Sequence, residues 1–364
     1  MEKLDRAAAP VHRPGGGPSG LRWTEAPPGV AVVACVRDEE AYLAEAVASV
    51  LVQDYCGPLR LVLAVGPSHD ATAQVAAELA AADPRVVVVD NPTGSRSVGL
   101  NLATEHAAGD DQVLLRVDGH TVLPTDYVTR AVATLEHTGA VGVGGLMHPV
   151  GTSTLQRAAA RAMSHPAGIG AASFHVGGEA GPSETVYLGA FRRSAVEAVG
   201  GYDPSLVRAE DWELCLRLRR AGGLLWFDPA LQVTYRPRRT LRAVAKQFWR
   251  TGMWRREVIR RDPSTASVRY LAPPALVLGL VASALLVAGG ALAALPAVVA
   301  LGAALPAAYV VGVVAACAHA TGRRPRLGLR EAVVLPAVVV TMHLAWGAGF
   351  VRGLTARAVA DHRA

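Results

Sequence analysis

The sequence predicts an α/β region with a mostly parallel sheet, followed by helices that cross a membrane. Three observations carry that expectation. Apolar runs alternate with helical periods from Val30 to Val117, no charged residue occurs between Tyr270 and Gly322, and a basic stretch stands between the two regions. A chain of 364 residues fits about two structural units at roughly 150 residues each.

The elements follow in order. Val30–Val36 is a continuous apolar run, the pattern of a strand buried on both faces. Glu39–Gln53 carries Leu43, Ala46, Val47, Val50 and Leu51 at helical spacing. Leu59–Val65, Val86–Val89 and Val113–Val117 read as further strands, with helices over Ala71–Ala82 and Ser97–Ala107 between them. Strict alternation of this kind implies right-handed crossovers and a parallel sheet. Leu214, Cys215, Leu216 and Leu218 predict a later helix starting at Asp211 or Trp212.

The uncharged stretch is more than twice the length of about 20 residues that one membrane helix needs. It predicts two spans, 274–294 and 297–318, hinged near Pro296, and 332–351 is a third. Their Gly and Ala content suits close helix packing in lipid. Residues 236–261 hold ten Lys and Arg against Glu257 alone, and Arg323, Arg324, Arg326 and Arg330 cluster between the second and third spans. Positive charge marks the cytoplasmic side, which predicts an inner-membrane, multi-pass chain with its α/β region in the cytoplasm. Arg352, Arg357 and Arg363 would then lie outside, unless the third segment is re-entrant. Within the basic stretch, Leu241, Val244, Ala245, Phe248 and Trp249 share one helical face, as in a helix lying in the membrane interface. The expected division is a flexible tail over 1–29, an α/β domain over 30–235, an interfacial helix region over 236–262 and a membrane part over 263–364. No apolar core follows the first basic residues, so no signal peptide is expected at the start.

Composition excludes other classes. A hydrophobic share of 51 % with 18 % charge is not that of a disordered chain. The 37 Gly and 23 Pro exclude a coiled coil. Four dispersed Cys give neither a disulfide framework nor a zinc site. The net charge of +6 sits beside the spans, so membrane electrostatics explain it and nucleic acid is not an expected partner.

Ligands of such sheets bind beyond the carboxyl ends of the strands. Those ends carry Arg37, Asp38, Glu39 and Glu40; Gly66 to Asp70; Asp90, Asn91 and Arg96; and Arg116-Val-Asp118-Gly-His120. Arg mixed with acid at one edge suits a phosphorylated ligand and a divalent cation. A carboxylate and an imidazole two residues apart can face one ion, and Gly119 lets backbone approach a diphosphate. No G-x-G-x-x-G follows the first strand and no G-x-x-x-x-G-K-[ST] occurs, which removes the main support for dinucleotide and P-loop folds.

Taken in order, V-R-D-E-E at 36–40, N-P-T-G-S-R-S-V-G-L-N at 91–101, V-D-G-H at 117–120, G-G-Y-D at 200–203, E-D-W at 210–212 and Q-F-W-R at 247–250 resemble the inverting family 2 glycosyltransferases of GT-A fold. The subgroup of succinoglycan-biosynthesis glucosyltransferases is similar in carrying D-x-H, an L-P-x-x-Y (here Leu123–Tyr127) and a G-E-A-G-P…Y-L-G-x-F-R-R stretch (here Gly178–Arg193). The resemblance covers about 30–260. It implies a GT-A nucleotide-sugar-binding domain ahead of the C-terminal transmembrane helices. It further implies Arg37, Glu39 and Arg96 on the donor, Asp118 on ribose and metal-bound water, and His120 on a divalent cation, Mn2+ or Mg2+. Asp211 would be the catalytic base, Glu210 would shape the acceptor site, and Gln247, Arg250 and Trp254 would stand at the acceptor and interface. The implied donor is a nucleotide sugar, UDP-sugar first, and the implied acceptor a lipid-linked saccharide in exopolysaccharide or envelope glycan synthesis.

Three positions depart from the pattern. Val65-Gly66-Pro67-Ser68 stands where D-D-G-S is common, Asp38 where Asn is usual, and Thr251 where the Trp of Q-x-x-R-W would be. Two rival readings remain open. One is transfer of sugar directly to polyprenyl phosphate, whose acceptor is already anionic and needs a base least. The other is a membrane accessory with a degenerate α/β domain, against which Asp118, His120 and Asp211 all argue.

Overall fold

The computed structural model describes residues 26–206 and 208–353. Most of the expected tail, residues 1–25, and the expected outer residues Arg357 and Arg363 lie outside that range. The chain runs β1 (Gly29–Val36), α1 (Leu43–Leu51), β2 (Leu59–Val65), α2 (Thr72–Ala82), β3 (Val86–Asp90), α3 (Arg96–Glu105), β4 (Asp111–Asp118), α4 (Tyr127–Thr138) and β5 (Gly142–Pro149). It continues through α5 (Thr154–Met163), α6 (Pro166–Ile169), α7 (Ser173–Val176), β6 (Gly181–Pro182), β7 (Ala190–Arg192), α8 (Arg193–Ala198), α9 (Glu210–Arg220) and β8 (Leu225–Tyr235). The helices α10 (Leu241–Arg261), α11 (Val268–Leu292), α12 (Pro296–Gly322) and α13 (Leu329–Arg352) complete it.

One sheet holds the strands in the order β3-β2-β1-β4-β7-β5-β8-β6. The first four are parallel, β7 runs antiparallel between β4 and β5, and β8 is parallel to β5. The sheet is therefore mostly parallel, as the alternation predicts. The apolar run of β1 divides by parity. Val30, Val32, Ala34 and Val36 join the core with α1 and α4, and Ala31 and Val33 join the core with α3 and α9. Both faces are covered, so every residue of the strand is apolar.

The first helix begins four residues later than its periodicity predicts. Asp38 sits at φ 56°, a left-handed conformation that Asp and Asn tolerate best. The same requirement accounts for Asp where Asn is usual. Residues 38–40 then form a loop, with the Glu39 N–H bound to Thr72 Oγ1 at 2.7 Å and the Glu40 N–H to Asp70 Oδ2 at 3.1 Å.

Three helices are long and apolar enough to cross a membrane, with mean hydropathies of 2.4, 2.2 and 1.8. Their ends lie outside the expected ones, save that the first helix closes at Leu292, two residues before its expected end. α11 starts at Val268, taking in Arg269 and Tyr270, and Pro296 opens α12 at the first helical position, where a missing N–H costs nothing. The third helix differs from the other two. Leu335, Val338, Val339 and Met342 of α13 are buried with Val244 and Phe248 of α10 and Ala158 and Ala162 of α5. Glycines permit that approach. A Cβ on Gly252 would lie 2.0 Å from the Trp346 carbonyl oxygen, and one on Gly349 would lie 2.1 Å from that of Trp249. The Arg157–Glu331 ion pair at 2.6 Å ties α5 to the start of α13. The helix α10, whose first turn is capped by Thr240 Oγ1, is thus clasped by α13 over its apolar face.

Candidate active site

β4 brings Arg116 and Asp118 to one sheet face, because residues two apart in a strand point the same way. Arg116 is buried, and its guanidinium meets three carboxylates. Nη1 lies 2.9 Å from Asp211 Oδ2, and Nη2 lies 3.1 Å from Glu210 Oε1 and 3.4 Å from Asp118 Oδ1. Burial opposes its charge, yet the three acids outweigh burial and hold Arg116 protonated far above the usual guanidinium range. Arg96, at the first position of α3, adds a second cation 3.7 Å from Glu210 Oε1.

The carboxylates are not equivalent. Burial pushes Asp118 up, but Arg96 and Arg116 overcome it and hold its carboxyl at about 2. Glu210 is pushed up, first by burial and then by the charge of Asp211. Its side chain is only 3 % exposed, whereas that of Asp211 is 35 % exposed. Asp211 therefore faces the cavity, and Glu210 stands behind it as a partner of Arg116. Glu210 lines the cavity, as a residue shaping the acceptor site would, while its carboxylate is engaged with Arg96 and Arg116.

The approach to this pair is built by neighbours. Asn101 binds the Tyr202 backbone twice, accepting from its N–H at 2.8 Å and donating to its carbonyl at 2.8 Å. Ser97 donates to the Leu206 carbonyl. Ala209 then sits at φ 65°, a left-handed turn that costs a residue with a Cβ about 1–2 kcal/mol and swings Glu210 and Asp211 toward Arg116. Glu213, the third acid, pairs with Arg217 at 2.6 Å and is structural.

His120 Nδ1 bonds Glu39 Oε1 at 2.7 Å, and this bond raises the imidazole's pKa. Gly119 owes its small size to that contact. A Cβ there would lie 2.9 Å from both Glu39 Cγ and Val36 Cγ1, so packing of the loop by itself requires glycine. Among the described residues no group of three or more His, Cys, Asp or Glu side chains could enclose a metal ion. The donor set still fits a cation shared with a diphosphate. Asp118 offers a carboxylate, and Glu39 orients His120 through Nδ1, leaving Nε2 as the ligand atom. Cations bound with substrate phosphates commonly take only one or two protein ligands.

A cavity of about 620 Å³ opens from Arg96, Arg116, Asp118, Glu210 and Asp211 and continues to the faces of α10, α11 and α13. Gln247 and Trp254 line it, and Gln247 Nε2 donates to the Tyr235 hydroxyl at 3.0 Å. Arg250 does not line it and is exposed. Thr251 lines it where the Trp of the motif would stand, and Trp254, one turn on, supplies an indole. Arg37 lies at the other edge, half-exposed beside Asp38 at 3.7 Å. Sequence reasoning missed Arg116 as a site residue, although a cation inside an apolar strand two residues before Asp118 was the available signal. It also missed Arg255, Arg269 and His175, which line the cavity's far end and carry no sequence pattern.

Residues 27–253 match the profile described as "Glycosyltransferase like family 2". The chain belongs to the family 2 glycosyltransferases. This glycosyltransferase is 35 % identical over 300 residues to the succinoglycan biosynthesis protein ExoA of Rhizobium meliloti (strain 1021), covering 81 % of this chain and 86 % of that protein. An N-acetylglucosaminyltransferase of Bradyrhizobium elkanii is 28 % identical over 116 residues, 29 % of this chain and 58 % of that protein. In fold the glycosyltransferase is similar to the mannosyltransferase PcManGT from Pyrobaculum calidifontis, solved with GDP-Man and Mn2+. The TM-score is 0.55 at 18 % identity, covering 90 % of this chain and 88 % of that one. The α/β region is thus a GT-A-type fold followed by three candidate membrane helices, as the sequence predicts.

Proposed function

We propose that the enzyme transfers a sugar, with inversion, from a nucleotide-sugar donor to a hydroxyl of a lipid-linked saccharide at the cytoplasmic face of the inner membrane. UDP-sugar is the first candidate donor, a hexose the first candidate sugar, and exopolysaccharide or envelope glycan the product. The reading includes the division into a catalytic region over 30–235, an interfacial region over 236–262 and a membrane part over 263–364. One observation carries it. The cavity that holds Asp118 and Asp211 is continuous with the faces of the interfacial helix and two apolar helices, so donor chemistry and a lipid-borne acceptor share one chamber.

The chemistry follows from the residues. Asp211 accepts the proton of the acceptor hydroxyl as that oxygen attacks the anomeric carbon. Arg116 holds one oxygen of Asp211, Oδ2, and so aims the carboxylate while the other oxygen faces the acceptor. Arg96 meets charge that develops on the departing diphosphate. Asp118 and His120 would hold a divalent cation, Mn2+ or Mg2+, which when bound neutralises the leaving group. One base opposite one leaving group gives a single displacement, hence inversion. A nucleotide-release screen over donors tests this, with membranes supplying acceptor. Release with at least one nucleotide sugar, and retention of label in the lipid fraction, is expected; label that stays water-soluble would contradict it.

A second reading, transfer to polyprenyl phosphate, is favoured by one observation. The far end of the cavity carries Arg255 and Arg269, neither of which has a carboxylate within 4.0 Å among the described residues.

A further inference from the structure

We propose that the membrane end of the cavity is a phosphate-binding subsite, in which Arg255 and Arg269 hold the phosphate or diphosphate borne by the acceptor's lipid. The proposal rests on the cavity being the acceptor's chamber, and it adds the chemical class by which the acceptor is recognised.

Arg255 lies between two rings. Its guanidinium carbon is 4.5 Å from the centroid of Trp212 and 4.0 Å from that of Tyr270. Arg269 approaches the same Tyr270 ring, at 4.6 Å, and also donates to the Tyr270 hydroxyl. Two guanidiniums therefore share one aromatic residue, and among the described residues neither has a carboxylate within ion-pair reach. The Arg255 Nη1 atom is buried with no hydrogen-bond partner among the described residues. Burial lowers the pKa of Arg255. A buried cation without a partner is costly, and aromatic faces compensate only part of that cost. Among the described residues the carboxylate whose field reaches Arg255 is that of Asp211, and its Oδ2 already belongs to Arg116.

An anion would complete this arrangement, and its kind follows from the donors. Two guanidinium forks supply more N–H groups than one carboxylate can accept, whereas a phosphate presents three or more oxygens. His175 adds an imidazole to the same wall. Its Nδ1 is buried and unpartnered among the described residues, and burial with the nearby Arg269 brings its pKa down to about 3, so it is neutral. The surroundings specify a lipid and not a free ion. Pro273 of α11 and Met342 and Trp346 of α13 continue the wall, and both helices are long and apolar enough to cross a membrane. Trp212 follows Asp211 directly in α9, so an anion on Arg255 sits close to the group that acts on the acceptor. The phosphate is thus placed either next to the first sugar of a lipid-linked saccharide or as the attacking group itself.

The test uses the full chain in nanodiscs of phosphatidylcholine, with EDTA present to keep metal from a diphosphate at the donor end. Farnesyl diphosphate is titrated against wild type and the Arg255→Gln/Arg269→Gln double variant, with farnesol and inorganic pyrophosphate as the other arms. The double variant is expected to bind farnesyl diphosphate about 10- to 100-fold more weakly, the loss of charge-assisted hydrogen bonds. Farnesol and pyrophosphate should each bind wild type at least about tenfold more weakly than farnesyl diphosphate, for want of one half of the ligand. Nucleotide binding of the double variant with Mn2+ should be unchanged, which shows that it folds. Should it fail to fold, Arg255→Lys and Arg269→Lys stand in, each keeping the charge but not the fork, and each expected to weaken farnesyl diphosphate. Undiminished farnesyl diphosphate binding in the folded variants would overturn the subsite. Equal binding of pyrophosphate, with the same dependence on both arginines, would overturn the lipid source in favour of a free anion. Equal binding of farnesol would overturn the anion. Failure of the transfer reading shows elsewhere, as a wild type that releases no nucleotide from any donor, and leaves this binding result intact.

Discussion

The two ends of the cavity treat positive charge in opposite ways. At the donor end, Arg116 is buried among Asp118, Glu210 and Asp211 and its charge is answered within the protein. At the membrane end, Arg255 and Arg269 rest on aromatic rings with no acid within ion-pair reach among the described residues. The first arrangement has its charge ion-paired before any substrate arrives, although Arg116 Nε and Nη1 make no hydrogen bond among the described residues, so it can fix a carboxylate in place. The second is complete only with an anion. The contrast teaches that one guanidinium can be part of the frame and another part of the binding site, and that the partner set, not the residue type, tells which.

The strongest way to break the comparison is to remove the framing cation. Arg116→Leu leaves three acids facing one another in a buried setting, and breaking a buried ionic cluster costs about 3–5 kcal/mol. Thermal unfolding of the detergent-solubilised chain should register that loss, with Arg116→Lys losing less. A melting temperature equal to wild type would mean that the three acids do not depend on Arg116.

The next effect concerns the cation. His120→Ala should raise the Mn2+ concentration needed for half-maximal nucleotide release by about 10- to 100-fold, and Glu39→Gln, which removes the carboxylate charge behind the imidazole, by about tenfold. Full activity in EDTA would refute both. His120→Asp should recover part of the use of Mg2+, a harder ion that prefers oxygen.

A smaller effect sharpens the membrane end. Gly349→Val would force a side chain against the Trp249 carbonyl, already 2.1 Å from where a Cβ would stand. Overpacking of this kind costs about 1–3 kcal/mol, and it should loosen α13 from α10 while leaving nucleotide binding at the other end intact. Limited proteolysis near Arg324 checks it, since a clasped α13 protects the preceding loop. Identical cleavage of variant and wild type would argue that α13 does not depend on this contact.

Much of the fold was legible because fully buried parallel strands must be apolar throughout, as Val30–Val36 is, and because membrane helices exclude charge. The boundaries were less legible. The late start of α1 depends on a left-handed Asp38 and on Thr72, a residue far along the chain. The placement of Asp118 and His120 at the carboxyl end of β4 was readable from the strand pattern, and that of Glu210 and Asp211 at the start of α9 from the helical period that follows them. Their different exposure was not, because it follows from how the chain turns at Ala209 ahead of α9. Arg255 and Arg269 were hidden for a different reason. Ten basic residues crowd 236–261, and nothing in the sequence separates the one that turns inward onto Trp212 from those, such as Arg250, that face solvent.

The central claim is that Asp211 is a base held in place by Arg116, and Asp211→Asn tests it most directly. Asn keeps the shape and one oxygen, and at the start of α9 it suits a helix N-terminus about as well. Single-turnover sugar transfer and nucleotide binding are measured on the same preparation. Transfer should fall by about 10²-fold or more while nucleotide affinity stays within about twofold, less than 0.5 kcal/mol. Transfer near the wild-type rate would contradict the claim and leave an acceptor that needs no base, a phosphate, as the better account.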